Sequence, residues 1–141
     1  MTSVRSRLGR VRQCQSGATA VEFALVGLPL FLLILGVVEF GRAFFLQNDL
    51  SYAADVAARQ VLIGQVGPNL SETDATAKLD NAVRANFRSG DPALLQVMTA
   101  RETVNGSDFR VLTLRYPFTF LLPDLVDTPI TIGLSRRIPI G

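Results

Sequence analysis

Sixteen consecutive residues, Phe23 to Val38, carry no charge, and a glutamate bounds them on each side, Glu22 before and Glu39 after. A membrane span takes ~20 largely apolar residues. Val21–Val38 nearly meets that length, and Phe40–Leu46 extends it. Ahead of the run, Arg5, Arg7, Arg10 and Arg12 are the only charges in residues 1–17. Cations confined to one end of an apolar segment place that end in the cytoplasm and the rest outside it. Residues 18–141 hold ten basic and twelve acidic side chains, so the overall charge of +2 reports orientation and not an acidic partner.

The 141 residues give room for one domain. The chain has no histidine, and its one cysteine is Cys14. Most transition-metal sites and every Ser-His or Cys-His nucleophile are therefore excluded, as is an internal disulfide. Cys14 precedes the apolar run, which does not fit a lipoprotein, and the run passes into Glu39 without the small-residue site of a secretory signal. Phosphate-binding, dinucleotide-binding and nucleophile-elbow patterns are missing. Glu22 and Glu39 would stand about 25 Å apart on one helix, too far to share a substrate. Asp124 and Asp127 flank a proline-rich loop but fall well short of a calcium shell of roughly 6–8 oxygens. Asn69-Leu70-Ser71 and Asn105-Gly106-Ser107 match glycosylation sequons and read more simply as cap and turn. No catalytic residue, cofactor, metal, nucleic acid or small-molecule substrate is expected.

The periodicity predicts an α+β chain: a long membrane-spanning helix running into a small domain with one further helix and about three antiparallel strands. Residues 18–46 read as the transmembrane helix and 47–63 as its amphipathic extension. Ala43, Leu46, Leu50, Ala53, Ala54, Ala57 and Val61 fall on one face, with Asn48, Ser51, Asp55 and Arg59 opposite. One helix from about Ala20 to Ile63 would measure roughly 65 Å. Pro29 takes away the amide that would bond the carbonyl of Leu25, so a bend is expected there. Asp55 and Arg59 are placed to pair at i,i+4, and Gly64 with Gly67-Pro68 ends the pattern. A second helix covers about residues 72–88, started by Ser71 and Asp74 and broken at Gly90-Asp91-Pro92. Strands are expected over about 94–104, 109–116 and 128–137, the first two joined by a hairpin at Asn105-Gly106. Pro117 and Pro123 argue against a central strand around them.

Glu22 is the residue least explained by fold. It lies five positions after Gly17 and at the mouth of the apolar run, where a carboxylate is costly and invites a functional reading. The basic leader, Gly17, Ala18, Glu22 and Phe23 followed by an apolar helix resemble a prepilin of the type IV pilin superfamily. Val21-Glu22-Phe23-Ala24-Leu25, Pro29-Leu30 and Val38-Glu39-Phe40-Gly41-Arg42 resemble more narrowly the TadE-like minor pilins of tight-adherence (Tad) pili. Leu114-Arg115-Tyr116-Pro117-Phe118 is similar to that family's tail.

The resemblance implies a leader, residues 1–17, that a prepilin peptidase removes between Gly17 and Ala18. It implies that Glu22, with Phe23 beside it, offsets the Ala18 amine of a neighbouring subunit during assembly. Read from the residues alone, Glu22 is an acid favoured near a helix N-terminus. Glu39 and Arg42 read as a pair at the outer membrane boundary or as a contact to the next subunit. Implied partners are the inner membrane, the peptidase, other Tad pilins or pseudopilins and the pilus assembly platform, and the implied role is structural, in pilus assembly and so in surface adhesion. The domain, residues 47–141, would be extracytoplasmic. The alternatives are a pseudopilin of a type II secretion system and a signal-anchored periplasmic binding or sensor domain.

Overall fold

The computed structural model describes residues 15–122 and 130–140, with side chains from residue 17 onward. The leader arginines, Cys14, Pro123, Asp124, Asp127 and Thr128 lie outside the described residues. In order the elements are helix α1 (Gln15–Leu62), helix α2 (Glu72–Asn86), a 3-10 turn (Pro92–Leu94) and strands β1 (Gln96–Val104), β2 (Ser107–Phe118) and β3 (Ile130–Pro139). The architecture is α+β, and the sheet is antiparallel in the order β1-β2-β3. The chain divides into two compact units, Met1–Val38 and Glu39–Gly141.

What is described of the first unit is the opening part of α1. The helix is already formed at Gln15, earlier than Ala20. Ala18 and Ala20 are strong helix formers, and one glycine near a helix end costs little against them. The helix continues through Pro29. From Gly17 to Val38 no residue is buried. By length and composition α1 contains a window able to cross a membrane, and none of that window is buried.

The second unit has a conventional core. Leu46, Leu50, Ala53, Ala54, Ala57 and Val61 of α1 are buried, and Ala43 packs against them. Asn48, Asp55 and Arg59 are exposed on the other face. The helix ends in a Schellman motif, in which Gly64 N–H donates to Val61 O and Gln65 N–H to Gln60 O, each at 3.0 Å. Gly64 takes the required left-handed conformation, with φ 78°. Asp55 does not pair with Arg59 as expected; its carboxylate meets Arg136 of β3 at 2.7 Å, because the folded sheet brings a second guanidinium to that face.

Ser71 caps α2 by accepting the Asp74 N–H at 3.1 Å, and Ala75, Leu79, Ala82 and Val83 form its buried stripe. The helix stops at Asn86, short of residue 88, since Phe87 is already extended. Residues 92–94 form a 3-10 turn capped by Asp91, so β1 starts at Gln96 and not near 94. The Asn105-Gly106 hairpin forms with φ 51° and 80°, both positive as a two-residue type I′ turn demands. β2 runs on through Pro117 to Phe118, beyond Tyr116. β1 ends opposite Arg115, so at Pro117 the central strand has one neighbour only, a position that tolerates a missing amide. β3 extends to Pro139, and burial favours its far end, Ile138 with Ile140 just beyond it, over Ile130.

Candidate functional site

Gly17 and Ala18 occupy the first turns of α1. A Cβ added to Gly17 would meet no atom within 4 Å among the described residues, so none of these demands glycine there. Glu22 lies one turn beyond Ala18, where it is exposed, and no side chain among the described residues pairs with it. Phe23 is 78% exposed and lies along the helix beside Gly27, where an added Cβ would meet its ring at 3.6 Å, an ordinary van der Waals contact. A carboxylate and a ring are thus presented outward, four and five positions after Ala18. Neither contributes to a core.

Glu39 and Arg42 are built differently. Arg42 Nη1 donates to Glu39 Oε2 at 2.8 Å, the i,i+3 pair legible in the sequence. The other oxygen, Glu39 Oε1, accepts the backbone N–H of Leu121, just past the end of β2. The Arg42 guanidinium stands 5.3 Å from the centre of the Phe118 ring, within cation–π range. Phe118 in turn meets Phe120 edge-on at 5.5 Å. The pair therefore ties the segment after β2 to the middle of α1. Spacing on a helix reveals an i,i+3 partner but not a backbone amide roughly eighty positions away.

Three further tethers hold the second unit. Asp49 Oδ2 accepts the amides of Arg88 and Ser89, both at 2.7 Å, where α2 ends. Tyr116 Oη accepts the Asp91 N–H at 3.0 Å, and its ring packs on Phe87 at 5.1 Å. That ring leaves no space at Gly90, where an added Cβ would fall 2.2 Å from the hydroxyl. Arg110 is fully buried on the same face of β2 as Leu112 and Leu114, and its two terminal nitrogens reach Glu72 at 3.1 and 3.4 Å. Its Nε has no hydrogen-bond partner among the described residues. Strict alternation places residue 110 in line with 112 and 114, the one sequence signal that could have marked this arginine.

At the hairpin, Thr103 Oγ1 and Arg101 both donate to Asp108, and these hydrogen bonds, Thr103 first, hold its carboxyl below the ordinary 3.8. Among the described residues no group of three His, Cys, Asp or Glu side chains converges as a metal would require. The arrangement offers an outward carboxylate and ring at the start of α1 and a braced junction at Glu39.

A family model described as TadE-like protein matches residues 17–59. The match takes in Gly17, Ala18, Glu22, Phe23, Glu39 and Arg42, and stops before Leu114–Phe118. No curated protein and no solved structure gives a significant match.

Proposed function

We propose that this chain, TadE-like over residues 17–59, is a membrane-anchored minor pilin or pseudopilin that takes part in assembling a Tad-type pilus, and so in surface adhesion. The observation carrying this reading is that the matched segment holds an apolar stretch of helix long enough to cross a membrane, none of it buried, headed by Glu22. Prepilin peptidase cuts between Gly17 and Ala18. The helix stays in the inner membrane with the basic leader on the cytoplasmic side, and the second unit lies outside the cytoplasm. The role is structural, without catalysis.

In this mechanism the cut frees an amine on Ala18, and Glu22 of a neighbouring subunit offsets that charge where little water is present. An unmatched charge in such surroundings costs several kcal/mol, whereas a purely local effect on helix polarity amounts to about 0.3–1 kcal/mol. Glu22→Ala separates the two. The expected result is a processed, membrane-resident protein that loses its crosslinks to partner pilins while its domain unfolds at the wild-type temperature. Equal crosslinking by wild type and variant would remove Glu22 from assembly. Glu39→Ala is the contrasting variant, because its carboxylate is engaged inside the fold and its loss acts first on domain stability.

A further inference from the structure

Residues 17–21, Gly-Ala-Thr-Ala-Val, alternate between two kinds of residue. Ala18 and Ala20 are the best helix formers. Gly17, Thr19 and Val21 are poor ones, the glycine through its backbone freedom and the other two through branching at Cβ. Threonine and valine also favour extended backbone, and a spacing of two is the period of a strand. In the structure all five residues are helical, and all five are exposed. Burial therefore does not hold this stretch in its helical form, and its own sequence favours that form only at every second position. Further along the same helix, Leu46–Val61 is held by a buried stripe.

The consequence falls on one bond. In an α-helix the carbonyl of Gly17 faces the amide four residues on, that of Val21, and the surrounding turn fills the space from which a nucleophile would reach the carbonyl carbon. Hydrolysis of the Gly17–Ala18 bond, in which water leaves a carboxylate on Gly17 and an amine on Ala18, needs that turn opened. We propose that residues 17–21 are a conformational switch, helical in the resting chain and extended in the peptidase cleft, and that Gly17, Thr19 and Val21 set how readily it opens. Opening stops at Glu22 and Phe23. Beyond them the uncharged run, once in lipid, has no partner for a freed amide or carbonyl. This inference rests on the peptidase reading above and adds that local conformation, besides the glycine itself, selects the bond.

The test compares full chains in detergent micelles with purified prepilin peptidase. Thr19→Ala combined with Val21→Ala keeps Gly17, Ala18 and Glu22 and strengthens the helix. Thr19→Val combined with Val21→Ile alters the same two side chains but leaves both branched. Two quantities are measured: the rate at which the Ala18 N-terminus appears by mass spectrometry, and amide hydrogen-exchange protection at residues 18–22 before peptidase is added. The alanine pair should gain protection and lose cutting rate, each by roughly five- to tenfold. The branched pair should stay close to wild type in both. An alanine pair cut at the wild-type rate overturns the switch and leaves the cut site standing. A branched pair cut as slowly as the alanine pair means that the peptidase reads the side chains themselves, which also overturns it. A wild-type chain that is never cut after Gly17 removes the peptidase reading and this inference together.

Discussion

Phe23–Val38 and Leu46–Val61 are successive stretches of one helix, and they meet their surroundings in different ways. The first is apolar around its whole circumference, with no residue buried. The second is apolar on one stripe only, and that stripe is the buried wall of a core. A helix apolar all round belongs in a core or in lipid, while a striped one packs against its own domain. Each stretch thus states its solvent through its periodicity. The consequence is a division of labour: the first stretch is left available to lipid and other chains, and the second holds the domain.

The sharpest way to break this comparison is to shorten one leucine in each stretch. Leu50 is fully buried, so Leu50→Ala should destabilise the domain by about 2–5 kcal/mol. Leu33 is exposed, and Leu33→Ala should shift the same transition by less than about 0.5 kcal/mol. Denaturant unfolding of the full chain in detergent, followed by circular dichroism, measures both. Similar losses would mean that the first stretch also packs within the protein.

Glycines give the same contrast at smaller scale. Gly90→Ala drives a methyl into the Tyr116 hydroxyl and ring, which must move and surrender the Asp91 amide. Overpacking of this kind costs about 1–3 kcal/mol. Gly36→Ala meets nothing within 4 Å and should leave domain stability unchanged. Thermal melts of the two variants would expose an error if Gly90→Ala proved neutral.

What was legible in the sequence follows from what repeats along it. The alanine stripe from Ala43 to Val61, the Gly64 stop and the Asn105-Gly106 turn are local, and each is seen in the structure. The partners of single side chains are not local. Asp55 reaches Arg136, Glu39 reaches Leu121, and Glu72 reaches Arg110 only after the sheet has closed over the helices. Pro117 misled for the same reason, because its tolerance depends on where β1 stops and not on its own strand. For the candidate site, Gly17, Ala18, Glu22 and Phe23 could be found by spacing because they follow one another on one helix. The bracing of Glu39 and Arg42 could not.

The smallest contrast lies between the core and the ionic hairpin. Asp108 has its carboxyl lowered in the fold, so its contribution to stability is present above the ordinary 3.8 and disappears as pH falls through the lower folded value. Asp108→Asn removes that dependence. The difference in melting temperature between wild type and variant should therefore shrink between about pH 5 and pH 3. A difference that stays constant over that window would mean that the Thr103 and Arg101 hydrogen bonds do not favour the ionised form.

The pilin reading stands on one chemical event, removal of everything before Ala18. The N-terminal residue of the membrane-resident protein, determined by mass spectrometry from cells with an active prepilin peptidase, reports it. Ala18 should be the first residue of the wild type, and Gly17→Val should leave an uncut chain in the same membrane. A wild-type protein that retains residues upstream of Gly17 would contradict the pilin reading and leave a tethered domain in its place.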